Sequence, residues 1–165
     1  MDEKALIFTN SAELSAATAE PTTSVFTVNN QIAENNDNIA YIFAEKKGFS
    51  KFGSYIGNGS TDGTFVYLGF RPAFIMLKYS APSGGVGSWH MYDNKRKGYN
   101  TENDYVQANT TSSENSDTDQ VDLLSNGFKC RATGSDSNES GSTYVYMAFA
   151  EAPLVSSNDI PAVAR

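Results

Sequence analysis

The sequence predicts an all-β protein, an antiparallel β-sandwich or jelly-roll-like packing built from an incomplete internal duplication. Three observations carry that expectation. The 165 residues include 13 Gly, 10 Phe and 9 Tyr in a background rich in Ser, Thr and Asn, a mixture that favours short strands between turns over long helices. Short apolar runs recur between clusters of turn-forming residues. The run AYIFAE at residues 40–45 returns almost unchanged as YMAFAE at residues 146–151. A chain of this length fits one domain with a core of useful size, residues 1–165.

Taken in chain order, the Ala-rich stretch within residues 11–20 allows a helix of one or two turns at most, because isolated short helices are marginal. ALIFTNSAE (5–13) aligns with YVQANTTSSE (105–114), SVFTV (24–28) with GFKCR (127–131), and NNDNIAYIFAE (35–45) with GSTYVYMAFAE (141–151). Residues 5–45 therefore form a partial first repeat, 46–72 carry connecting strands, 73–151 form a complete second repeat, and 152–165 are a C-terminal tail. The strands at Ile39–Ala44 and Val145–Ala150 are expected to be equivalent and central.

The connecting region, GFSKFGSYIGNGSTDGTFVYLGF, offers two short strands joined by its Gly57–Gly63 segment. AFIMLKY (73–79) reads as a buried strand; SAPSGGVGS breaks it and WHMYD resumes, which makes a long-looped hairpin. The short strand YVQA and a polar loop follow. VDLL and FKCR should then pair across Asn126-Gly127, two residues that tolerate the positive φ of a type I′ turn. The last run, TYVYMAFA, is apolar on both faces and reads as a central strand. Val145, Met147 and Phe149 lie on one face, Tyr146 and Ala148 on the other. The duplicated face that carries Phe149 is expected to dominate the core.

Composition excludes several functions. A formal charge of -7 and a pI near 4.6 leave no electrostatic footprint for binding phosphate backbones, so nucleic acid is not an expected partner. Cys130, the single cysteine, cannot form an intramolecular disulfide, and the opening MDEKALIF lacks the basic and apolar regions of a secretory signal. The longest strongly apolar run, AFIML at 73–77, is far short of the roughly 20 residues of a membrane-spanning helix. Membrane insertion is not expected.

Residues able to carry chemistry are few. His90 is the only histidine, which rules out a histidine-based metal cluster, and alternation in WHMY places it with Tyr92 on one strand face. A packed or hydrogen-bonded histidine explains it better than a catalytic triad. Asp117, Asp119, Asp122, Asp136 and Glu139 could surround Ca²⁺, but the glycine and distal glutamate of an EF-hand loop are missing, so solvated loop carboxylates are the expected reading. Glu45 and Glu151 are matched by the duplication and each is expected to cap the solvent end of its strand. The glycines at 48, 53, 57, 59 and 63 do not make a phosphate loop, since no Lys-Ser/Thr follows at the needed spacing. No catalytic residue, metal ligand set or cofactor is expected.

NKRKGYN (94–100) is the sole basic cluster. With the neighbouring aromatics it supplies the candidate contacts for a glycan or a partner: Trp89, Tyr92, Lys95, Arg96, Lys97 and Tyr99. The plainer alternative is that the basic run is a solvated loop and the aromatics pack the sheet.

Residues 24–165 resemble a β-domain of unknown function found near the C-terminal end of tail-fibre and other virion proteins of tailed bacteriophages, marine ones especially. The strings that carry the resemblance are YIFAEKKGFSKFGSYIGNG, WHMYDNKRKGYN, VDLLSNGFKCR, GSTYVYMAFAEAPL and the closing IPAVAR. One departure stands out: relatives carry an earlier copy of the segment corresponding to AFIMLKY and WHMYD, and residues 5–45 have no such copy. A neighbouring subunit or other virion protein is expected to cover the edge so left, as unpaired strand edges are association sites. The resemblance implies a structural component of a virion, assembled in the host cytoplasm, tail or fibre associated, that displays a β-domain for host-surface attachment. A homo-oligomer, contacts with other virion proteins and a host-surface glycan are the expected partners. A capsid decoration or cement protein and a carbohydrate-binding module are the alternatives, with a glycan-cleaving enzyme last.

Overall fold

The computed structural model describes residues 41–80, 87–96, 104–116 and 119–151. Eight strands run in this order: β1 (Ser50–Ile56), β2 (Phe65–Tyr67), β3 (Pro72–Tyr79), β4 (Trp89–Asp93), β5 (Tyr105–Gln107), β6 (Val121–Leu124), β7 (Gly127–Cys130) and β8 (Thr143–Ala150). They build a five-stranded sheet of order β1-β8-β3-β4-β5 and a three-stranded sheet of order β2-β7-β6, with every pairing antiparallel. No helix occurs among the described residues. The expected all-β sandwich is what the chain forms.

The alternation of each strand decides which side is buried. In β8, Tyr144, Tyr146, Ala148 and Ala150 face the second sheet and are buried, while Val145, Met147 and Phe149 on the outer face are half-buried. The core therefore lies on the tyrosine face, a correction to the expectation that Phe149's face would dominate. Ile75 and Leu77 of β3 and Tyr92 of β4 continue that inner layer, and Val66, Val121, Leu123, Phe128 and Cys130 of the smaller sheet close it. Phe128 meets the edges of Tyr55 and Tyr146 at centroid distances of 5.8 and 5.6 Å, the arrangement aromatic quadrupoles favour.

β1 and β2 are joined by the Gly57–Gly63 segment as expected, yet they enter different sheets: β1 pairs with β8 and β2 with β7. Each stands at the end of its sheet's strand order among the described residues. The β6–β7 hairpin also forms, with its turn one residue earlier than expected, at Ser125-Asn126, because Leu124 pairs with Gly127. Gly127 is the first residue of β7, and a Cβ there would stand 2.1 Å from the Val66 carbonyl oxygen. The glycine serves close packing against β2, not a positive φ.

The first copy of the duplicated run does not reproduce the second. Residues 41–45 carry no strand. β8 is flanked along its length by β1 and β3 and is central, as expected. The run instead leads into β1: Ser50 Oγ donates to the Ala44 carbonyl at 3.1 Å, and Phe43 packs against Phe52 and Phe149 at 6.0 and 5.7 Å. The rest of the partial first repeat, the short helix expected within 11–20 and the tail 152–165 lie outside the described residues.

Cys130 is fully buried and its thiol pKa is pushed up to about 11 by that burial. Labelling of this thiol at neutral pH is expected to proceed at the rate of unfolding. Rapid modification of the native chain would show that the sandwich opens at β7.

Candidate functional site

The candidate site lies along β5, beside the turn that ends β4 and carries the basic cluster. Asp93, last residue of β4, organises the turn that follows. Its Oδ1 accepts from the backbone N–H groups of Lys95 and Arg96 at 2.8 and 3.1 Å, and its Oδ2 accepts from Arg96 Nε at 2.8 Å. Arg96 Nη1 also pairs with Glu114 Oε2, which ties the turn to the loop after β5.

β5 is an edge strand, and that loop folds back along it. Tyr105 and Asn115 exchange both backbone hydrogen bonds, at 3.0 and 2.9 Å, so the loop occupies part of the edge. Between strand and loop lies a hollow of about 320 Å³ lined by Tyr105, Gln107 and residues 112–116. Among the described residues its lining is hydroxyl and amide apart from one carboxylate, Glu114. The amide of Gln107 is fixed: Thr110 Oγ1 donates to its Oε1 at 2.9 Å, and its Nε2 lies 3.0 Å from His90 Nε2. Donor and acceptor in the Gln107–imidazole contact are set by the tautomer of His90.

His90 and Tyr92 share the inner face of β4, as the alternation requires, and both are buried. The ring of Tyr105 stands edge-on to His90 at 4.8 Å and tilted against Tyr92 at 5.5 Å. Burial holds the His90 pKa below its ordinary value, against the opposing pull of Asp136. The folded chain keeps this ring neutral where the unfolded chain protonates it. The unfolded state thus binds more protons below pH 6.5, and stability contributed by His90 is present above that pH and lost as pH falls. Denaturant titrations from pH 7 to 5 should show that loss, and His90→Gln should flatten it. A slope identical in the two proteins would assign it to other groups.

The contact residues expected from sequence are divided by the structure. Trp89 is 5% exposed, under the ammonium of Lys78, and Tyr92 is 0% exposed in the core. Both pack the sheet, which corrects the expectation that they offer open ring faces to a glycan. Lys95 and Arg96 reach the surface, and Arg96 is engaged by two carboxylates. Lys97 and Tyr99 lie outside the described residues. Gln107, Ser112, Ser113, Glu114, Asn115 and Ser116, which build the hollow, were not among the expected contacts. Their only sequence signal is a polar loop after a short strand, a pattern common to many loops.

The acidic residues do not converge. Asp122 pairs with Arg131, Glu139 Oε2 accepts from Ser142 Oγ at 2.9 Å, and Asp136 approaches His90 at 4.0 Å. Asp117 lies outside the described residues. Among the described residues no three His, Cys, Asp or Glu side chains are placed to hold a metal ion. Glu151, just past β8, accepts from Asn94 Nδ2 at 3.1 Å, whereas Glu45 stands in the non-strand run before β1, 3.5 Å from the Phe52 N–H. Glu45 therefore caps no strand of its own, which corrects its expected role.

The opposite edge of the five-stranded sheet differs in chemistry. Every large apolar side chain exposed among the described residues falls between Tyr41 and Tyr67: Tyr41, Ile42, Phe43, Phe49, Ile56, Phe65 and Tyr67. β2 lies beside β1 there, with Lys51 Nζ donating to the Tyr67 carbonyl at 2.8 Å and resting over the Tyr67 ring.

A family model described as a domain of unknown function (DUF7483) matches residues 3–153. No curated protein and no solved structure matches the chain.

Proposed function

Because the chain belongs to the DUF7483 family of domains of unknown function, we propose its role from its sequence resemblances and its surface chemistry: a structural component of a bacteriophage virion, tail or fibre associated, that displays the sandwich for attachment to the host surface. The observation that carries this reading is the contrast between the β5 edge of the larger sheet and the flank of the sandwich formed by β1, β2 and the run before β1. The β1–β2 flank exposes several large aromatic and aliphatic side chains, the kind of surface that proteins cover with a partner. The β5 edge presents a hydroxyl- and amide-lined hollow within the size range of ligand sites but far more polar than a site for an apolar molecule. In a virion the apolar flank would seat against a neighbouring virion protein or a second copy, leaving the polar edge to meet a glycan of the host. Among the described residues the hollow is lined by one carboxylate, Glu114, and by hydroxyl and amide groups, which supports binding.

The apolar flank also favours a second reading, a decoration or cement protein of the capsid, since seating on a shell needs such a surface. Two measurements separate them. Saturating host cells with the purified chain should lower adsorption of the virion that carries it, and electron microscopy should place the chain on the tail. Unchanged adsorption together with density on the capsid shell would replace attachment by decoration.

A further inference from the structure

Resting on the attachment reading, we infer that the hollow beside β5 selects a neutral, polyhydroxylated glycan over an anionic one. The basic cluster nearby would suggest the reverse from sequence alone, but among the described residues the one cation that touches the lining, Arg96, is spent internally. Arg96 gives Nε to Asp93 and Nη1 to Glu114, so two carboxylates surround one guanidinium. Lys95, exposed on the same turn, does not line the hollow.

Among the described residues that line it, the hydroxyls of Ser112, Ser113 and Ser116 are groups that exchange hydrogen bonds with sugar hydroxyls, and the Gln107 amide, held by Thr110 and His90, keeps one N–H and one lone pair besides. An anionic sugar entering there would meet Glu114 on a chain of net charge -7, and like charges brought together at a binding surface are a strong means of rejection. Tyr105 cannot provide a stacking platform, because the ring is buried against His90 and Tyr92. Recognition in the hollow thus depends on hydrogen bonds, which makes each single contact weak. Useful affinity then comes from many copies acting together on a virion.

The test compares neutral oligosaccharides with their carboxymethylated counterparts by titration calorimetry on the full chain. Binding of the neutral member is expected to be tighter by about tenfold or more, equivalent to about 1.4 kcal/mol. Glu114→Gln removes the repelling charge and releases Arg96, so it should shrink that ratio to near unity or invert it. Tighter binding of the carboxymethylated member by the unmodified chain would overturn the inference while leaving attachment standing. A ratio unmoved by Glu114→Gln would also overturn it, by placing selection elsewhere. Binding of neither class would overturn both the inference and the glycan part of the attachment reading.

Discussion

Phe128→Ala is expected to remove about 3–5 kcal/mol of stability, a large share of the roughly 5–15 kcal/mol of a typical domain. Phe128 is 0% exposed at the centre of the smaller sheet, between Val66 of β2 and Leu123 of β6 in the strand register. Its ring supports Tyr55 and Tyr146 across the sandwich, so truncation would leave a cavity bounded by both sheets. Collapse of Tyr55 into that space would be limited, because its hydroxyl is held by the Ser137 carbonyl. Phe149→Ala should cost less, since that ring is half-buried on the outer face among Phe43, Phe49, Phe52 and Phe74. Denaturant titration of both variants checks the order, and a smaller loss for Phe128→Ala than for Phe149→Ala would put the core on the wrong face.

The second large effect is expected at Asn138. This side chain is 0% exposed, and its Nδ2 reaches Asn58 Oδ1, the Ser60 carbonyl and the Ala132 carbonyl at 2.9, 2.8 and 3.0 Å, while its Oδ1 accepts from the Asn58 N–H at 3.0 Å. It joins the Gly57–Gly63 connection to the loop between β7 and β8. Asn138→Ala would leave several of those groups without a partner, at a cost of about 2–4 kcal/mol. The same loop is pinned by Tyr55 and Tyr144, whose hydroxyls donate to the Ser137 and Ser135 carbonyls at 2.7 and 2.9 Å. Hydrogen exchange in residues 134–142 should accelerate in the variant while β3 and β8 stay protected. A change within about 0.5 kcal/mol, with exchange unaltered, would mean that the asparagine cluster does not hold the loop.

Strand existence was legible in the sequence where alternation or a sustained apolar run met a turn signal, as in AFIMLKY, WHMYD, VDLL and TYVYMAFA. The buried face of β8 was not, because Tyr146 and Ala148 look no more apolar than Met147 and Phe149; only the position of the second sheet decides between them. The hairpin turn moved by one residue because Gly127 answers a steric demand from Val66, a contact between sheets that no local pattern encodes. Similarity between Tyr41–Ala44 and the end of β8 was real in sequence and misleading in structure, since pairing partners rather than side chains make a strand. At the candidate site, the sequence singled out the basic turn but overlooked the hollow beside it. Serine, asparagine and glutamine side chains become a site only when β5 and its returning loop bring them together. Asn138 was hidden for the same reason: in a loop rich in polar residues nothing marks the one that is buried.

With the β5 edge proposed as the binding edge of this module, amide chemical-shift mapping of the full chain, titrated with polysaccharide from the host surface, should give shifts concentrated at Tyr105–Gln107 and at residues 112–116, with the Tyr41–Tyr67 flank unmoved. Shifts confined to that apolar flank, or none at saturating polysaccharide, would show that the β5 edge does not bind.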